Sequence, residues 1–139
     1  MLMSKIVQML TRLAIDEGGY ADTRRVPMAA GIVYKKHLIA TGVNQMKTHP
    51  MMMGKGYRKD QLFMHAEIDA IRNALRLITP SQLSQCELHI VRVKRPQNGA
   101  RTWVHGLAKP CPGCARVIAS FGIDRVKWTE DQTKQLDFF

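Results

Sequence analysis

Two short polar interruptions constrain what this chain can fold into. His65-Ala66-Glu67 opens the segment FMHAEIDAIRNAL (63–75), and Cys111-Pro112-Gly113-Cys114 opens another, CPGCARVIAS (111–120). After the first, Ile68, Ile71, Leu75 and Ile78 recur at helical spacing, and Pro80 is expected to end that helix. The strand-like run CELHIVRV lies between the two motifs. Two long connections, 45–62 and 95–109, lead into the two helix starts, so loops and helix starts point at the same place.

The remaining chain supplies a frame for that meeting point. Residues 4–15 read as an amphipathic helix of the mature protein, because Lys5, Gln8, Thr11 and Arg12 interrupt the apolar run at helical spacing. MAAGIVYKKHLIATGVN reads as two strands around Lys35-Lys36, residues 110–121 as a helix with Gly122 as its cap, and DRVKWT as a last strand. The order α-β-β-α-β-α-β predicts an α/β fold with a central mixed sheet flanked by helices. At 139 residues, one domain spanning 1–139 is expected. No apolar run reaches the roughly 20 residues that span a bilayer, so a cytoplasmic location without membrane contact is expected.

The motifs carry chemistry that neither carries alone. An isolated H-x-E is mostly chance, and an isolated CxxC serves equally in a redox protein or half of a structural zinc site. Cys111 and Cys114 stand i, i+3 at a helix start, where both sulfurs face one way and thiolates are favoured. His65 can add a neutral imidazole as third ligand, leaving a fourth tetrahedral position open, as in catalytic rather than structural zinc sites. Glu67, two residues beyond His65, is placed to move protons at that position. Cys86, with no partner motif, reads as a small buried residue.

H-A-E followed by P-C-x-x-C resembles the signature of the zinc deaminases. From Met28 to about Trp128 the chain resembles the cytidine/deoxycytidylate deaminase superfamily, with its three-layer α-β-α fold. That resemblance implies one zinc per chain on His65, Cys111 and Cys114, with Glu67 as proton shuttle. It further implies that the Ala66 N–H holds the base carbonyl and that Asn44, in TGVN, contacts sugar or base. Within the superfamily the chain looks most like small phage-encoded deoxycytidylate deaminases, which implies conversion of dCMP to dUMP in a host cytoplasm.

Charge narrows the partner. The chain carries a formal +10, with no acidic residue from Asn44 to Lys59 or from Leu88 to Ile123. Such surfaces suit a phosphorylated substrate or a polyanion. Lys47, His49 and Arg58, in the connection before His65, are the expected phosphate contacts. Single-stranded DNA or tRNA is the alternative substrate, and a CxxC thiol redox protein the alternative class. Aromatic residues are only 6%, fewer than a stacking platform for a polymer would want, which favours the small pyrimidine nucleotide. Trp103 reads equally as a base-stacking residue or a loop anchor. Trp128 and Phe138-Phe139 read as core or subunit contacts in an expected homo-oligomer.

Overall fold

Alternation along two strands decides the architecture. The computed structural model describes residues 4–18, 27–45, 65–97 and 100–136. In it β1 (Met28–Tyr34) pairs antiparallel with β2 (His37–Val43) and with β3 (Glu87–Lys94). The free side of β3 takes β4 (Val104–Gly106) antiparallel at one end and β5 (Arg125–Trp128) parallel at the other. Ala29, Val91 and Val93 turn to one face and pack with Leu10 and Ala14 of α1 (Lys5–Glu17). Ala30, Ile32, Leu88 and Ile90 turn to the other. There α2 (Ala66–Ala74) and α4 (Pro112–Ser120) supply Ile68, Ile71, Val117 and Ile118. The period of two thus separates the interior into two cores and makes the expected mixed, three-layer α-β-α arrangement.

Gly42 lets α2 lie directly on β2. A Cβ there would stand 2.2 Å from the Ala70 nitrogen and 2.6 Å from the Ala66 carbonyl oxygen. Those distances are below any tolerable contact, so any side chain at this position would lift the helix start off the sheet.

Three boundaries differ from the sequence expectation. The helix α2 ends at Ala74, and Pro80 does not terminate it but begins α3 (Pro80–Leu83), a turn capped by Thr79 and Gln82. Proline is suited to that first position because its missing N–H would be unsatisfied there anyway. Leu75 and Ile78 still pack against the core, although they lie past the helix. The stretch expected as an open connection, 95–109, contains β4, which is too short to show a period of two in sequence. Finally, α4 starts at Pro112 rather than Pro110, so Cys111 is its N-cap.

Gly122 does close α4, with φ 75°, a conformation that glycine adopts without strain. No helix among the described residues is long and apolar enough to cross a membrane. Lys47, His49 and Arg58, the expected phosphate contacts, lie outside the described residues, as do Phe138 and Phe139.

Candidate active site

The two motifs meet at the starts of α2 and α4. His65 is the N-cap of α2 and Cys111 the N-cap of α4, so both side chains leave the chain just where a helix begins. Pro112 at the next position fixes the turn between Cys111 and Cys114. Nδ1 of His65 lies 3.1 Å from Sγ of Cys114 and 3.6 Å from Sγ of Cys111. The Cys114 N–H donates to Sγ of Cys111 at 3.4 Å. Among the described residues, His65, Cys111 and Cys114 form the group of donors able to hold a metal ion, all within 4.8 Å of one another.

Electrostatics favours the ligand form of Cys111. The Cys111 thiol is pushed down to about 4, chiefly by the hydrogen bond from Cys114. His65 and the Cys114 N–H add to that effect, against the opposing effect of burial. It is therefore a thiolate at neutral pH, the form that binds metal. The donor set of one imidazole nitrogen and two cysteine sulfurs suits zinc. Zinc ligands at about 2.0–2.3 Å place neighbouring donor atoms of a tetrahedron roughly 3.5 Å apart, close to the spacing seen here.

Glu67 completes the cluster. It sits in the first turn of α2, is 2% exposed, and its Oε1 has no hydrogen-bond partner among the described residues. Burial raises its carboxyl above the ordinary carboxylate range and the charge of Cys111 adds to this, while a backbone hydrogen bond, nearby His65 and a side-chain hydrogen bond from Cys114 act in the opposite direction. A buried, unpartnered carboxylate oxygen is costly unless something polar comes to meet it. Fit to zinc is therefore supported twice, by the donor set and by the orphaned oxygen beside it.

The other expected residues fall as follows. Ala66 is the first helical residue of α2 and fully buried, and its N–H belongs to the helix end that no intrahelical carbonyl reaches. Asn44 follows β2 and is buried, its Oδ1 accepting from the Met28 N–H at 2.9 Å. Trp103 packs against the α1-side core with the Arg95 guanidinium 4.0 Å above its ring, which makes it a loop anchor. Cys86 is buried, with its thiol on the Gln82 carbonyl at 3.4 Å. Sequence reasoning missed Asp69, which reaches from α2 to the end of β2. The available signal was its position four residues after His65, on the same side of the helix.

Comparison with known proteins agrees with this geometry. The cytidine and deoxycytidylate deaminase zinc-binding region matches residues 4–130. A guanine deaminase from Bacillus subtilis superposes with a TM-score of 0.55 at 22% identity, covering 94% of this chain and 65% of that one. This chain thus spans somewhat under two thirds of that protein's length. A dCMP deaminase from the cyanophage S-TIM5 superposes with a TM-score of 0.56 at 17% identity, covering 95% of this chain and 88% of the other. A search of curated proteins returns no match.

Proposed function

Because the chain belongs to the cytidine and deoxycytidylate deaminase zinc-binding family, we propose that it hydrolyses the amino group of a small pyrimidine nucleotide, dCMP, to give dUMP and ammonia. The observation that carries this reading is Oε1 of Glu67, buried and unpartnered beside His65, Cys111 and Cys114. Zinc held by those three residues supplies Lewis acidity that lowers the pKa of water toward about 7. Glu67 accepts a proton from the attacking water and gives it to the ring nitrogen N3. It then carries the remaining hydroxyl proton to the amino group, so that the C4–O bond forms, the C4–N bond breaks and ammonia leaves. The Ala66 N–H, at the positive end of α2, holds the base carbonyl, and Asn44 contacts the sugar or base.

Phosphate recognition is assigned to Lys47, His49 and Arg58, because the stretch from Asn44 to Lys59 carries cations and no acid. A reducing cytoplasm, that of a phage-infected cell included, suits three cysteines that form no disulfide. The test is turnover of deoxycytidine, dCMP, dCTP, guanine and a short single-stranded oligonucleotide by the zinc-loaded protein. The highest kcat/KM is expected for dCMP, with one ammonia released per dUMP. Faster turnover of guanine or of the oligonucleotide would overturn the substrate assignment while leaving the deaminase chemistry in place. Neutralising Lys47 or Arg58 should raise KM for dCMP by about 10- to 100-fold, the scale of one charged hydrogen bond, and leave deoxycytidine unaffected.

A further inference from the structure

The seam between α2 and β2 is stitched by side chains at a matched spacing. Asp69 and Asn73, four residues apart on the helix, reach Val43 and Thr41, two residues apart on the strand. One helical turn and two strand residues are nearly the same length, so the two bridges stay in register. Asn73 donates from Nδ2 to the Thr41 carbonyl at 2.8 Å. Oδ2 of Asp69 accepts from the Val43 N–H at 3.0 Å and from Gln45 Nε2 at 2.9 Å. Its Oδ1 accepts from Arg72 Nη2 at 2.6 Å, and the residue is buried.

The Asp69 bridge differs from the Asn73 bridge in what it surrounds. Val43 and Gln45 are the two neighbours of Asn44, so one carboxylate oxygen holds the backbone before it and the side chain after it. The Asp69 N–H meanwhile donates to the carbonyl of His65 at 3.1 Å, which closes the first turn of the helix carrying Glu67. One residue is therefore bonded both to the segment bearing Asn44 and to the helix start bearing His65 and Glu67. The bare Cα of Gly42 permits this approach, and Arg72 fixes the second oxygen so that the carboxylate cannot rotate away.

We propose that Asp69 is a positioning residue for catalysis. It sets the distance between Asn44, which holds the substrate, and Glu67, which moves the proton. This assignment rests on the deaminase reading of the site. A displacement of about 1 Å between a substrate-holding group and a reacting group costs roughly 100-fold in rate. Asp69 therefore acts through Asn44 and touches no substrate atom.

A double-mutant cycle tests it. On the zinc-loaded protein, Asp69→Ala should lower kcat/KM by about 100-fold when Asn44 is present. In the Asn44→Ala background the same change should cost less than about twofold, because nothing remains to be positioned. Asp69→Asn keeps the shape and one acceptor oxygen and should recover most of the loss, which guards against a variant that fails to fold. Asn73→Ala is the control. It removes a bond of the same kind from the same seam, and should lower the melting temperature about as much while leaving kcat/KM within about twofold. Zinc content should match wild type in all of these.

Additive effects of Asp69→Ala and Asn44→Ala, or equal losses of activity in Asp69→Ala and Asn73→Ala, would overturn the proposal. The cycle is run on whichever of dCMP, deoxycytidine, dCTP, guanine or the short oligonucleotide the wild type turns over fastest. A wrong substrate assignment is thereby seen separately from a wrong role for Asp69. A wild type that deaminates none of them overturns the deaminase reading and this proposal with it.

Discussion

At α1 and α3 the chain begins its helices with Ser4 and Thr79, whose hydroxyl oxygens accept from the Val7 and Gln82 N–H groups. At α2 and α4 the same position holds His65, which makes no side-chain cap, and Cys111, whose sulfur accepts from the Cys114 N–H at 3.4 Å. Hydroxyl caps satisfy orphan backbone donors and are worth about 1 kcal/mol each, whereas histidine and cysteine are poor caps. The two helix starts without a hydroxyl cap are the two that meet, and their side chains converge within ligand distance. Cap residues that stabilise and cap residues that bind occupy equivalent positions in the same fold. Substitutions at the two kinds of helix start should therefore behave differently.

Glu67→Gln keeps shape and burial but removes the proton acceptor. Because Glu67 serves both when water adds and when ammonia leaves, turnover should fall by more than the roughly 10²–10⁴ of one acid–base step. Zinc content and melting temperature should stay at wild-type values. Retention of a tenth of the activity would show that another group moves the proton.

Zinc joins the starts of α2 and α4, so its removal by a chelator should lower stability, by about 2.7 kcal/mol relative to protein held at 100-fold its zinc Kd. Calorimetry with and without zinc reads this directly. An unchanged melting transition would mean that the ion is not held by these helix starts.

His65→Asn converts a binding cap into a stabilising one. In zinc-free protein it should raise stability by up to about 1 kcal/mol, and zinc content should collapse under the same loading conditions. Thr79→Ala is the mirror image. It should cost about 1 kcal/mol and change neither zinc content nor turnover, as denaturant titration and metal analysis would report.

The smallest effect concerns pH. His105 is 8% exposed, and its Nε2 lies 2.9 Å from Oγ1 of Thr11, which itself donates to the Val7 carbonyl at 2.6 Å. With that hydroxyl proton committed, Thr11 accepts from a neutral imidazole carrying its proton on Nε2. Burial lowers the His105 pKa below its ordinary value near 6.5. Between the lowered folded value and 6.5 the unfolded chain binds more protons, so stability should fall as pH drops through 6.5 and level off below the folded value. The slope should shrink in His105→Gln. An identical slope in that variant would assign it to other groups.

Much of this molecule is local and therefore legible in the sequence. The H-A-E and C-P-G-C spacings fix which way side chains leave a helix start, because one helical turn involves only neighbours in sequence. Alternation in the strands likewise fixes the two faces of the sheet. What the sequence could not state depends on pairs far apart along the chain. The short strand β4 exists because its residues lie against β3, and the His105–Thr11 bond joins residues 94 apart. In sequence Asp69 is one more polar residue on a helix, and only the packing of α2 on Gly42 places its carboxylate against the neighbours of Asn44. Residue chemistry at the helix starts was written in the sequence, whereas distances between them were set by how closely two backbones can approach. That limit belongs to tertiary packing, because a missing Cβ acts only on whatever the fold brings against it.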